Sequence, residues 1–221
     1  MPTLQENIEE VAKYYAKLAP EYDHLAEFEK RSASQILVPL REEYQSALRG
    51  RRVLEIACGT GNWTGVLAEV CESVLATDVN PEMLETTRRK LQSAPNVRYQ
   101  LADAYSLSDV EQGFSGAFAH FWWSHVPRKK AVQFLETLHS HLEPGAVVLF
   151  VDSLHYPGKR RVDEHGDTYE ERSLRDGRSY ETIKNFPTEQ ELRALIDGKG
   201  EVLAYREHPE HVVWSLLYKL N

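Results

Sequence analysis

Val53-Leu54-Glu55-Ile56-Ala57-Cys58-Gly59-Thr60-Gly61-Asn62-Trp63-Thr64 carries an apolar strand into a glycine turn and straight on into a helix. Val53 to Ala57 reads as a buried strand, and the helix runs from about Asn62 to Val70. Glycines between them let the backbone swing sharply and approach a ligand with no Cβ in the way. The carboxyl end of a strand is where open α/β sheets bind ligands. A dinucleotide site wants Gly-x-Gly-x-x-Gly, with pyrophosphate on the helix N-terminus. Here Thr64 stands at the third glycine position and Gly65 comes one residue late. A nucleoside without phosphates has less need of that close approach.

Downstream, short apolar runs alternate with helical patterns. Ser73 to Thr77 is the next strand, and Pro81 sits where a helix begins. Val97 to Leu101 and Gly116 to Trp122 make the third and fourth strands, and a helix from Arg128 to Leu142 follows. Glu143-Pro144-Gly145 reads as a turn before a fifth strand, Ala146 to Val151. Such alternation implies a mostly parallel sheet with helices on both faces. A helix from Thr188 to Ile196 precedes Val202 to Tyr205 and Val212 to Tyr218, whose short link through Pro209 favours an antiparallel pair.

Upstream, Ile8, Val11, Tyr15 and Leu18 mark an amphipathic helix that Pro20 is expected to close. A second helical stretch is expected from about Ala26 to Leu48. These segments suggest a helical cap over residues 1–50, with the main domain over 51–221. Residues 153–187 read as an insertion rich in mixed charge. Within it, Asp176-Gly177 signals a two-residue type I′ hairpin turn, which sets Arg172 opposite Glu181 and Arg175 opposite Arg178. That hairpin suits an exposed arm, a dimer contact or a cover for the active site.

The 221 residues suffice for a full core, with 42% hydrophobic and 27% charged residues. A net charge of -8 argues against a nucleic-acid surface, which needs clustered Lys and Arg. Arg88-Arg89-Lys90 and Lys159-Arg160-Arg161 are short runs that read as solvated faces. Cys58 and Cys71 form no CxxC pair and no disulfide framework. The polar N-terminus is unlike a secretory signal, and no run of about 18 apolar residues appears, so no membrane span is expected. The expected address is the cytoplasm, and the expected assembly a monomer or homodimer.

The glycine segment resembles motif I of the class I S-adenosylmethionine (AdoMet)-dependent methyltransferases, (D/E)-x-(G/A)-x-G-x-G, with Glu55, Ala57, Gly59 and Gly61 in its positions. The second strand ends Ala76-Thr77-Asp78-Val79-Asn80-Pro81, where the family places the acid that accepts both ribose hydroxyls. Asp78 matches it, with a turn or N-cap role as the plainer alternative. Met83 resembles the apolar contact to adenine. Leu101-Ala102-Asp103-Ala104-Tyr105 follows the third strand, where the family's acid takes the adenine amino group and the next amide meets the ring. Asp103 and Ala104 match, and a turn acid is the alternative. The resemblance, running from Glu55 to Asp152, further implies cofactor contacts from Thr60, Trp63, Val79, Tyr105, Phe121 and Tyr22. It implies a Rossmann-like seven-stranded sheet in the order 3-2-1-4-5-7-6 with the last strand antiparallel, AdoMet as cofactor and S-adenosylhomocysteine (SAH) as product.

Phe118-Ala119-His120-Phe121-Trp122-Trp123-Ser124-His125-Val126-Pro127 lacks the (D/N)-P-P-(Y/F) of enzymes that methylate nucleic-acid bases or protein glutamine. It resembles the small-molecule branch instead. His125 is the candidate base, since a neutral imidazole suits proton removal from an oxygen or ammonium acceptor. A backbone hydrogen bond near a helix start is its plainer role. Trp122 and Trp123 are expected to wall the acceptor site, because aromatic faces attract the sulfonium cation. Tyr14-Tyr15 and Tyr22-Asp23 resemble a helical lid, with Tyr15 toward the acceptor. Asp152, Ser153 and His155 follow the fifth strand onto the active rim. Arg172, Arg175 and Arg178 suit an acidic substrate or ordinary hairpin charge. No metal is expected, and His139 and His141 are expected on different faces. Two alternatives keep AdoMet: an enzyme of non-methyl chemistry, and a non-catalytic binding module.

Overall fold

The computed structural model describes residues 3–33 and 37–221. Seven strands form one sheet: β1 (Arg52–Ile56), β2 (Ser73–Asp78), β3 (Val97–Leu101), β4 (Phe114–His120), β5 (Leu142–Ser153), β9 (Gly200–His208) and β10 (Val213–Leu220). Their order is β3-β2-β1-β4-β5-β10-β9. Counted within this sheet alone, that is the expected 3-2-1-4-5-7-6. β10 runs antiparallel to β5 and to β9, and the other pairings are parallel.

The central strands are covered on both faces, so most of their residues are apolar; the edge strand β3 carries Arg98 and Gln100. Leu54 and Ile56 of β1 face one core with Phe114, Phe134, Leu138, Phe150 and Tyr218. Val53 faces the other, with Phe118, Leu149, Tyr44, Leu48 and Leu67. α5 (Ala131–His139) and α6 (Glu189–Ile196) cover the first core; α2 (Leu37–Leu48) and α3 (Asn62–Ala68) cover the second, beside α4 (Pro81–Lys90). α6 starts at a capping box, the Thr188 hydroxyl accepting from the Glu191 amide and Glu191 accepting from the Thr188 amide. Among the described residues no helix is long and apolar enough to cross a membrane.

Pro20 does not close the first helix. α1 spans Leu4–Ala33, and its backbone stays helical through the proline. Tyr15 and Tyr22 lie on one face across it, rings 6.3 Å apart. A proline inside a helix costs about 3 kcal/mol. Burial of Tyr14, Leu18 and Ala19 just before it opposes that cost. The stretch expected from Ala26 to Leu48 crosses residues 34–36, which lie outside the described residues.

The insertion forms a separate three-stranded sheet, β6 (Arg161–Val162), β7 (Thr168–Ser173) and β8 (Ser179–Ile183). Its register differs from the expected one by one residue. Arg172 pairs with Tyr180, and Glu181 with Glu171. The Leu174 amide donates to the Arg178 carbonyl and the Gly177 amide to the Leu174 carbonyl, which leaves a three-residue loop. Gly177 alone is left-handed there, at φ 85°, as in a type I turn closed by a glycine bulge. One extra loop residue exchanges the faces of the strand. Glu181 therefore meets Arg161 of β6, and Arg172 is left to bond Glu170, its same-face neighbour on β7. A second difference is that Glu143-Pro144-Gly145 lies within β5, as an irregularity where the pairing with β4 shifts register. Tyr14 and Leu18 of α1 pack against Leu174 and Tyr180 of the insertion.

Candidate active site

Beyond β1, Ala57, Gly59 and Gly61 are all left-handed, at φ 51°, 56° and 79°. A Cβ on Gly61 would stand 2.4 Å from the Thr87 Cγ2, so only glycine fits. Thr87 cannot give way easily, since its hydroxyl donates to the Gly59 carbonyl at 2.8 Å. A Cβ on Gly59 would meet nothing within 4 Å, because that residue borders a cavity. The cavity measures about 1090 Å³ counting its open mouth, ample for a nucleoside cofactor with a small acceptor. It opens over β3, β2, β1 and β4, across the point where strand order reverses. α1 closes it from above with Ile8, Val11, Ala12, Tyr15 and Tyr22.

Asp78 ends β2 at the cavity wall. Its Oδ2 accepts the Gly59 amide at 2.9 Å and its Oδ1 the Asn80 amide at 2.8 Å. Burial nevertheless pushes its pKa up to about 6, against those amide bonds. Val79 and Met83 line the cavity beside it, followed by Asp103, Ala104 and Tyr105. Asp103 Oδ1 accepts the Tyr105 amide, and the Ala104 amide donates to nothing among the described residues. Four expected cofactor residues lie behind the wall. Glu55 is fully enclosed, and burial pushes its carboxyl up to about 8. Thr60 and Gly61 shape the turn from behind, and Trp63 packs on Tyr44 and His120.

At the end of β4, Phe121 is left-handed at φ 55°, a strained conformation worth about 1–3 kcal/mol. Its amide is held by the Val151 carbonyl at 2.9 Å. Phe121 and Trp122 line the cavity, Trp122 beside Tyr105 at 5.7 Å between ring centres. Trp123 turns into the core between Phe134 and Phe150.

His125 is buried and faces the cavity. The Ile183 carbonyl can only accept, so Nδ1 carries the proton and donates to it at 2.7 Å. Nε2 then accepts the Tyr15 hydroxyl at 2.9 Å. Burial, with the charges of Lys184 and Arg172, lowers the His125 pKa well below the usual imidazole value. Burial likewise raises Tyr15 far above a normal phenol, opposed by Arg172. This neutral pair joins α1 to the loop after β4.

Asp152 lies beneath that loop, accepting the Ser124 amide at 2.8 Å and facing Lys184 at 3.6 Å. Lys184 donates to the hydroxyls of Ser124 and Ser153, and its Nζ stands 5.7 Å from the Phe121 ring centre. Arg172 and Arg160 share Glu170, at 2.9 and 3.4 Å. The Nε atoms of both arginines are buried with no partner among the described residues. His155 is exposed, packs on Phe186 and does not line the cavity. Arg175 and Arg178 are exposed at the hairpin tip. His139 bonds the Tyr218 hydroxyl and His141 the Thr137 carbonyl, so the two point to different neighbours.

Sequence reasoning missed His120 and Lys184. His120 was legible as the polar residue that ends the apolar run of β4. Lys184 carried only a weak signal, a lysine between Ile183 and Phe186.

The residues fit an adenosyl cofactor. A glycine bare toward the cavity, a carboxylate and a free amide along neighbouring strand ends are the donors and acceptors that a ribose and an adenine need.

Residues 53–145 match the family model described as a methyltransferase domain. The chain is 28% identical over 208 residues to the ubiquinone/menaquinone biosynthesis C-methyltransferase UbiE of Azotobacter vinelandii (strain DJ / ATCC BAA-1303), covering 86% of this chain and 81% of that one. It resembles the solved DhpI–SAH complex at TM-score 0.78 and 30% identity, covering 99% of each chain. The DhpI-SAM-HEP complex superposes at TM-score 0.80 with 28% identity, covering 98% of this chain and 99% of that one.

Proposed function

We propose an acceptor chemistry from one premise: the chain belongs to the class I AdoMet-dependent methyltransferases and transfers a methyl group to a small molecule. The acceptor in this reading is a small acid, methylated on an anionic oxygen. The observation that carries it is the buried Arg172 Nε, without a partner among the described residues, whose charge reaches both Tyr15 and His125, as Lys184's reaches His125. Glu170 holds the guanidinium's charge, but a buried N–H left without an acceptor costs about 1–3 kcal/mol, so a ligand acceptor is expected there. Two nearby cations also make His125 a poor base, which suits an acceptor that arrives already deprotonated.

Bound AdoMet supplies a methyl group on a positively charged sulfur and leaves as SAH. Asp78 holds the ribose, and Asp103 with the Ala104 amide holds the adenine. Arg172, from behind the cavity wall, draws the acceptor's negative charge, while Lys184 stays on Asp152 and the hydroxyls of Ser124 and Ser153. Trp122 and Tyr105 wall the site against water, and the Tyr15–His125 pair fixes the lid. In-line placement of the oxygen then supplies much of the rate. Residues 1–50 act as a cap and 51–221 as the catalytic domain. The enzyme works in the cytoplasm as a monomer or homodimer, without nucleic acid or metal; the net charge of -8 supports the exclusion of nucleic acid.

A second reading follows from the Tyr15–His125 bond. A hydroxyl or phenolic acceptor would pass its proton to the Tyr15 oxygen as Tyr15 passes its own to His125. UbiE, whose name states C-methylation in quinone biosynthesis, makes quinols the natural comparison. The test is SAH release from AdoMet with small phosphonates, phosphates and carboxylates against hydroquinols. Arg172→Gln should raise the KM for an acidic acceptor more than tenfold and leave SAH affinity unchanged. Turnover of a neutral quinol, undiminished in Arg172→Gln and lost in His125→Ala, would replace the first reading with the second.

A further inference from the structure

We infer that the His120 imidazole hydrogen-bonds the amino-acid end of AdoMet. The assignment rests on the cofactor orientation given above, adenine over β3 and ribose over β2. That orientation sends the amino-acid end across β1 toward β4. Register fixes what it meets there: Ile56 pairs with Ala119, so the next residues outward are Ala57 and His120. Ala57 offers only backbone and a methyl group. His120 lines the cavity, and neither ring nitrogen has a hydrogen-bond partner among the described residues. His125, the other cavity histidine, has both nitrogens engaged.

The ring is also held in place. It lies 4.8 Å from Trp63 at 35° and 4.1 Å from Phe121 at 67°. Trp63 is the second residue of α3, just past the glycine turn, so the same segment that bends around the cofactor also backs the histidine. Burial, then Lys184, pushes its pKa down to about 3, so the ring is neutral. A neutral imidazole offers one donor and one acceptor. An amino-acid end presents a carboxylate that accepts and an ammonium that donates. A fixed ring loses little freedom on binding, which favours affinity.

Calorimetric titration with two ligands tests the assignment. SAH carries the amino-acid end; 5′-methylthioadenosine shares the adenosine and the thioether but lacks it. His120→Ala should weaken SAH about tenfold and leave methylthioadenosine unchanged. His120→Asn, which keeps a donor and an acceptor, should recover part of the loss. Equal weakening of both ligands would reduce His120 to a packing role and overturn the proposal, as would unchanged SAH affinity. Asp78→Ala should weaken both ligands alike. Sparing of methylthioadenosine in that variant would overturn the orientation itself.

Discussion

Asp78 carries opposing demands: two backbone amides favour its carboxylate, yet burial holds its pKa up at about 6. Ribose hydroxyls need the ionised form as acceptor, so a proton must leave before binding at low pH. SAH affinity should therefore be level above about pH 7 and fall toward tenfold per unit below about pH 6. Asp78→Asn should bind more weakly and without that slope. A flat wild-type titration between pH 5 and 8 would remove Asp78 from the ribose. At this scale the sequence was informative about which strand-end residues reach the cavity, as at Gly59, Asp78 and Asp103. It was silent where a side chain's direction decides. Trp122 and Trp123 are neighbours of the same type, yet one lines the cavity and the other fills the core.

Glu55 gives β1 a dependence on pH of its own. Its carboxyl is enclosed, and burial lifts it from the usual 4.5 to about 8. Between those values the folded chain holds a proton that the unfolded chain has lost. Stability therefore falls as pH rises through that window, and the penalty is complete above about pH 8. Glu55→Gln keeps the neutral shape, so its Tm should decline less between about pH 5 and pH 9. The two melting curves should converge near about pH 4.5; parallel curves across the range would show that Glu55 is not the source. The central strands of the main sheet were legible because burial on two faces leaves mostly apolar runs, as in Ala146 to Val151. The hairpin register was not, because Asp176-Gly177 suits a two-residue turn and a three-residue loop alike, and one residue exchanges the faces. That exchange sets Arg172 across from Tyr180 in place of Glu181 and leaves it to bond Glu170, its same-face neighbour on β7. Pro20 misled for a related reason: local cost was weighed without the tertiary burial of Leu18 and Ala19.

Across the whole molecule, two additions to the sheet meet over one cavity. α1 spans its mouth, and the insertion supplies Ile183, Lys184 and Arg172 around His125. Neither addition announces that convergence in sequence, since Tyr15 and His125 lie 110 positions apart. The sheet order did announce itself, because β-α alternation ending in an antiparallel pair leaves few arrangements. We propose that this crevice binds an adenosyl cofactor through Asp78. It is tested most directly by thermal unfolding of the purified chain with AdoMet, SAH or NAD. At roughly a hundredfold excess over Kd, binding adds about 2.7 kcal/mol, a Tm rise of about 5–11 °C for a chain of this size. AdoMet and SAH should both give that rise, NAD should give none, and Asp78→Ala should abolish it. A rise with NAD alone, or a full rise with SAH in Asp78→Ala, would contradict the account.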